Sequence, residues 1–361
     1  MIPFKTHIQR SSPYVGGSTR DPADPAKKIH KLSSNENPLG PSPLALRAIK
    51  DHLEDLHEYN YQDDTRFREA LAKAMGPDIK PDQFITANSG MELLDLICRG
   101  FLEPGDEVIL SSPTFLAYKN FAATAGATAI DVPLKAKTYA LDTDGIIRAA
   151  GSKTKILFLS SPNNPTGAII DPIGMGILLR QLPPQVLVVY DEVYHHYVTH
   201  RGYARALKYI QQDWNVIGIH SFSKAYGLAG MRIGYAFSTP AVAHYLQNLR
   251  RPFMINTLSM EAGIAALEDH EHLRRTVDLV ETEKRWLYQQ LNELGITFWP
   301  SHANYILFES PYAAPRLAGD MLASGVMVRT GEVFGAPHCV RVTIGTRQAN
   351  TAFINLLKLL S

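Results

Sequence analysis

Five short segments of this 361-residue chain combine residue types that could do chemistry. His220-Ser221-Phe222-Ser223-Lys224-Ala225-Tyr226 carries a lysine, with Arg232 eight residues further on. An ammonium drawn away from bulk water loses its proton readily and becomes a nucleophilic amine. The plainer alternative is a surface lysine. Tyr190-Asp191-Glu192-Val193-Tyr194 sets Asp191 at the end of an apolar run. A carboxylate there needs a cationic or donor partner, and a structural salt bridge would also supply one. In Ser161-Pro162-Asn163-Asn164-Pro165-Thr166-Gly167 a turn explains the Pro and Gly but not two consecutive amides. Asn164 could donate to a ligand oxygen. Ser112-Pro113-Thr114-Phe115 offers a ring that could stack on a flat ligand or simply pack in the core. Ser89-Gly90-Met91-Glu92 opens a helix. Free N–H groups and a positive dipole end would face an anion there, unless Ser89 is an ordinary N-cap.

Taken together, these segments meet the needs of a pyridoxal phosphate site. That cofactor requires a lysine for its Schiff base and a carboxylate that keeps the ring nitrogen protonated. It also needs donors for the ring hydroxyl, an aromatic against one face and an anion cup for the phosphate. Competing motifs are absent: there is no G-x-G-x-x-G, Walker loop, H-E-x-x-H or G-x-S-x-G. His195-His196 and His270-Glu271-His272 lack the spacing of helical metal ligands, because i and i+2 do not share a face. No metal is expected.

The elements that position these residues read as alternating helix and strand. Helical patterns cover Pro43 to Leu56, Arg66 to Met75 and Met91 to Phe101. Short runs rich in Val, Ile and Leu follow at 107–111, 155–160, 186–190 and 216–220. Continuous apolar strands between helices indicate a parallel sheet buried on both faces. Ligands of such sheets bind outside the carboxyl ends of the strands, where all five segments fall. After Gly234 the pattern changes. Residues 241–294 read as mostly helical with a break near Pro252. Strands at 303–308, 326–329 and 340–344, a helix at 315–324 and a final helix follow. The expected fold class is α/β: a large domain with a mostly parallel central sheet flanked by helices, plus a smaller α+β C-terminal domain. The expected divisions are an extended arm at 1–34, a large domain at 35–245 and a small domain at 246–361.

Composition narrows the function further. Hydrophobic residues make up 45% and charged residues 20%, with a net charge of +1, so neither a disordered chain nor a nucleic-acid or membrane binder is indicated. Two cysteines, Cys98 and Cys339, fit a reducing compartment. The N-terminal segment lacks the apolar run of a signal peptide, and a cytoplasmic protein is expected.

The motifs Ser33-Ser34-Asn35-Glu36-Asn37-Pro38-Leu39-Gly40, 161–167, 191–194 and 221–232 resemble those of the fold-type I pyridoxal phosphate aminotransferases. Within that family the chain is most similar to the histidinol-phosphate aminotransferase branch, over roughly residues 30–350. The resemblance implies that Lys224 carries the cofactor, that Asp191 pairs with its ring nitrogen, and that Asn164 and Tyr194 bond its ring hydroxyl. Phe115 would stack on the ring. Gly90, Met91, Ser221, Ser223 and Arg232 would hold the phosphate, and Tyr61 would reach the site of a neighbouring subunit in a homodimer with shared sites. Arg341, Arg329 and Tyr14 would bind substrate. Arg suits that task because its planar fork pairs bidentately with carboxylate or phosphate. Two positions depart from the family's habit: Gln62 follows Tyr61 where Pro is common, and Met91 stands where an acid or hydroxyl is common. The implied activity is transfer of an amino group from an amino donor to a 2-oxo acid, with histidinol phosphate and 2-oxoglutarate as the leading pair. Relatives that act on aromatic amino acids or decarboxylate phosphorylated threonine leave the substrate open. A non-catalytic cofactor-binding relative is disfavoured by the joint presence of Lys224, Asp191 and Arg341.

Overall fold

A computed structural model describes residues 2, 4–10, 24, 28–59 and 64–360. Its centre is a seven-stranded sheet in the order Phe84–Ala87, Gly234–Phe237, Val216–Ser221, Leu187–Asp191, Thr154–Ser160, Glu107–Ser112, Thr128–Pro133. Only Gly234–Phe237 runs against its neighbours. All the other strands therefore end at the same edge.

The apolar runs are continuous because both faces of the sheet are covered. Leu157 and Leu159 belong to one core, with Val188, Tyr190 and Val216. Ile156 and Phe158 belong to the other, with Leu187, Val189 and Ile217. Successive side chains point to opposite faces, so each strand feeds both cores. Leu157→Ala should cost about 2–5 kcal/mol, read as a lower denaturant midpoint. An unchanged midpoint would show that this position is not packed as described.

Capping residues set where the surrounding helices begin. Ser42 accepts from the Ala45 amide at 3.2 Å and starts Pro43–Asp51, with Pro at the first turn. Asp171, Asn256 and Asp269 do the same for Pro172–Gln181, Thr257–Glu268 and His270–Glu293. The helix expected to reach Leu56 ends at Asp51 and continues as a 3-10 segment, Leu53–His57.

The second unit is an antiparallel sheet ordered Arg329–Thr330, Cys339–Thr343, Tyr305–Glu309, Phe298–Trp299. It packs with the helices His270–Glu293, Ala314–Ala323 and Arg347–Leu360 around Val280, Leu287, Phe308 and Phe353.

Two details differ from the expected divisions. Pro240–Gln247 and Thr257–Glu268 lie past or across residue 245, yet their buried residues join the cores of the seven-stranded sheet: Ala243 and Leu246 on one side, Met260 and Ala266 on the other. The apolar pattern marks them as helices but cannot say which core they face. The segment expected to be an extended arm contains a helical turn at Thr6–Arg10. It also contains a strand, His30–Lys31, that pairs in parallel with Val326–Met327 of the second unit. Among the described residues, no helix is long and apolar enough to cross a membrane.

Candidate active site

The carboxyl edge of the seven-stranded sheet and the second unit enclose a cavity of about 300 Å³. Lys224, in the turn after Val216–Ser221, lines it and donates from Nζ to the Ser34 carbonyl at 3.1 Å. Burial, and then the nearby Arg341 guanidinium, push its amine down to about 8. Glu36 and Asp191 oppose the fall without cancelling it. The neutral, nucleophilic form is thus available near neutral pH. Modification of Lys224 in the ligand-free protein should follow a titration centred near 8, slower below it and at full rate above. A midpoint near the ordinary 10.5 would contradict this environment.

Asp191 closes Leu187–Asp191 and also lines the cavity. One carboxylate oxygen accepts from the Tyr118 hydroxyl at 2.6 Å and the other from the Val193 amide at 3.1 Å. Burial pushes the carboxyl above its usual range, and these two donors hold back part of the rise. A cation placed against it would favour the ionised form. Its recorded partners are thus donors, where a salt bridge was the plainer alternative.

Gly90 and Met91 line the cavity at the start of Gly90–Phe101. The Ser89 side chain makes no capping bond, so it is not the ordinary cap considered from sequence. Gly234 passes directly behind this helix start: a Cβ there would sit 2.9 Å from the Gly90 nitrogen. Ser221 accepts from the Ser223 amide at 3.1 Å, and both line the same wall. Arg232, in a left-handed conformation at φ 54°, reaches the cavity and donates to the Ala229 carbonyl at 2.9 Å. Phe115 lines the cavity and meets Tyr118 edge-on at 5.6 Å.

Arg341 is buried, with its guanidinium 4.9 Å from the Phe334 ring centre and 5.4 Å from that of Tyr305. It donates to the Asn164 side-chain oxygen and to the Ser33 carbonyl, each at 2.6 Å. Arg329 lines the same cavity and lies directly opposite Arg341 on the adjacent antiparallel strand. Tyr194 accepts from the Asn35 amide at 2.9 Å. Twelve of the fourteen residues singled out from sequence therefore meet around one cavity. Tyr14 and Tyr61 lie outside the described residues.

Tyr118, Asn35 and Thr343 were not singled out. Asn35 sits inside the quoted 33–40 motif, and Tyr118 follows Phe115 by three residues, but neither spacing announces its partner. Two of the histidines weighed as metal ligands, His195 and His196, lie ring against ring. His195 stacks between His196 and His220, with ring centres 3.8 Å apart on each side, and His220 lies 3.2 Å from Glu192.

A family model described as aminotransferase class I and II matches residues 27–357. Among curated proteins, the histidinol-phosphate aminotransferase of Moorella thermoacetica is 37% identical over 96% of this chain and 90% of its own length. That of Symbiobacterium thermophilum is 38% identical, over 99% and 98%. Among solved structures, histidinol-phosphate aminotransferase from Sinorhizobium meliloti in complex with pyridoxal-5'-phosphate superposes with a TM-score of 0.88 at 25% identity, covering 99% and 98% of the two chains. Aspartate aminotransferase from Thermotoga maritima gives 0.82 at 25% identity, over 92% of each chain.

Proposed function

Because this chain belongs to the aminotransferase class I and II family, we propose that it transfers the amino group of histidinol phosphate to a 2-oxo acid such as 2-oxoglutarate. It is a pyridoxal phosphate-dependent transaminase. The observation that carries the choice of substrate is the pair Arg329 and Arg341, placed directly across from each other on one cavity wall. Like charges in that register repel. An anionic substrate end, phosphate or carboxylate, relieves the repulsion and pairs with the planar guanidinium forks.

The residues fit the cofactor. Gly234 leaves the start of Gly90–Phe101 uncrowded, and the raised Asp191 carboxyl is receptive to a cation. Pyridoxal phosphate, when bound, supplies an electron sink for the pair released from the substrate's Cα–H bond. In this reading Lys224 would be the residue that holds the cofactor, and its amine would be placed to take and return the proton at the substrate's Cα. Asp191 would keep the ring nitrogen protonated. Asn164 and Tyr194 would bond the ring oxygen, and Phe115 would lie against the ring. Gly90, Met91, Ser221, Ser223 and Arg232 hold the phosphate. Tyr14 joins Arg329 and Arg341 at the substrate.

To test the substrate, amino donors are offered one at a time to the holoenzyme. Histidinol phosphate should exceed phenylalanine and tyrosine in kcat/KM by about 10- to 100-fold, the worth of a charge-assisted pair. Equal rates would favour an aromatic aminotransferase. Carbon dioxide release without an oxo product would favour decarboxylation.

The same reading makes the enzyme a homodimer, with Tyr61 reaching the neighbouring subunit's site. Leu53, Leu56, Tyr59 and Phe253 support it: all are exposed apolar residues, and the last two rings are 4.8 Å apart. Leu53, Leu56 and Tyr59 precede Tyr61 in the chain, and Phe253 packs on Tyr59. Light scattering should give twice the chain mass, and Leu56→Asp should lower both mass and activity. A fully active monomer would overturn the dimer. A division into a sheet domain and a smaller second domain, and a cytoplasmic location, belong to the same proposal. The free, buried Cys98 and Cys339 support that location.

A further inference from the structure

Thr343 and Asn35 are separated by 308 positions in the chain and meet at the mouth of Tyr194. The direction of each hydrogen bond can be read from the one donor that has no choice. The Asn35 backbone N–H donates to Thr343 Oγ1 at 2.9 Å. Among the described residues, the buried Thr343 hydroxyl bonds Asn35 alone, so its own proton goes to Asn35 Oδ1, 3.1 Å away. With Oδ1 engaged as acceptor, the other side of that amide is its NH2. Asn35 Nδ2 donates to Tyr194 Oη at 2.9 Å. The phenol therefore accepts on that side, and its proton is not committed to Asn35.

The backbone holds the arrangement in place. Asn35 has φ 56°, a left-handed conformation that Asn tolerates better than most residues. Asn304 Nδ2 donates to the Asn35 carbonyl at 3.0 Å. Thr343 ends Cys339–Thr343, the strand that also carries Arg341.

We propose that Thr343 and Asn35 are positioning residues: a one-way hydrogen-bond relay that makes Tyr194 a donor toward the cofactor's ring oxygen. The relay ties the substrate-arginine strand to the cofactor wall through the segment that follows the arm. It rests on the cofactor reading above and is independent of which amino donor is used.

The test titrates ligand-free protein with pyridoxal phosphate and records the pH profile of the bound cofactor's absorbance. Thr343→Val keeps the shape and removes the relay, whereas Thr343→Ser keeps the hydroxyl and loses a methyl group. The valine variant should bind cofactor about 5-fold more weakly, the worth of one neutral hydrogen bond. It should also move the absorbance midpoint in the same direction as Tyr194→Phe. The serine variant should stay within about 2-fold of the parent. Thr343→Val combined with Tyr194→Phe should be no weaker than Tyr194→Phe alone, because both remove the same bond. Asn35→Asp offers an independent check. Its carboxylate can only accept, so it should turn the phenol proton away from the cofactor and copy the valine effect. Valine behaving as parent while serine weakens binding would assign Thr343 a packing role and overturn the relay. Additive losses in the double variant would overturn it too. A failure of histidinol phosphate as substrate leaves these cofactor readouts unaffected, so the two readings fail separately.

Discussion

Lys224→Ala should fold normally, bind pyridoxal phosphate without a covalent bond, and turn over at least about 10⁴-fold more slowly. The fold is expected to survive because, among the described residues, the amine is held by a hydrogen bond to the Ser34 carbonyl and a loose contact 5.8 Å from the centre of the Tyr194 ring. Its charged form is already disfavoured by burial and by Arg341. Removing it therefore takes away a strained charge and not a structural anchor. Turnover falls because, among the described residues, Lys224 supplies the amine on the cavity wall that would hold the cofactor and carry the Cα proton. Lys224→Arg should be equally slow: a guanidinium keeps its charge at every working pH and is neither nucleophile nor base. Borohydride followed by mass measurement should add the cofactor's mass to the parent and not to either variant. Retained covalent label, or turnover within 10-fold of the parent, would remove Lys224 from its role.

Asp191→Asn should keep the covalent attachment and yet lose about 10³-fold in kcat. The substitution is nearly isosteric. The new amide's oxygen can still accept from Tyr118 or Val193, so the cavity wall is expected to hold its shape. What disappears is the negative charge. Burial already raises the carboxyl, and the Tyr118 and Val193 donors oppose that rise. A protonated ring nitrogen placed against Asp191 favours its ionised form, and by reciprocity the carboxylate keeps that nitrogen protonated. An amide cannot reciprocate. The predicted signature is thus a split: borohydride labels Asp191→Asn as it labels the parent, while kcat collapses. A rate within 10-fold of the parent would show that the ring nitrogen's partner lies elsewhere.

Parts of the molecule differ in how plainly they can be read from the chain. The inner strands Thr154–Ser160, Leu187–Asp191 and Val216–Ser221 announce themselves, because burial on both faces demands an unbroken apolar run. Thr128–Pro133 does not, since it is an edge strand with Thr128, Asp131 and Pro133 exposed and only Val132 buried. Gly234–Phe237 begins with a glycine and is the one reversed strand, and Phe84–Ala87 at the opposite edge is only four residues long. Short strands carry too little pattern to separate from a loop. Pro240–Gln247 and Thr257–Glu268 were legible as helices, but their attachment to the first core was not. An apolar stripe specifies that a face is buried without specifying its partner.

The chain alone determined which groups stand where chemistry could be done. A lysine, an acid, an amide, an aromatic and a helix start each stand at or just past a strand end, and strand ends of a co-directional sheet converge on one edge whatever the intervening helices are. Only the tertiary structure decided how those groups are held: Tyr118 on Asp191, Arg341 on Asn164, and Thr343 through Asn35 on Tyr194. These bonds join residues 73, 177, 308 and 159 positions apart. Side-chain periodicity reports burial within one element. A hydrogen bond between elements depends on where folding brings two polar atoms in space, and sequence spacing holds no record of that distance.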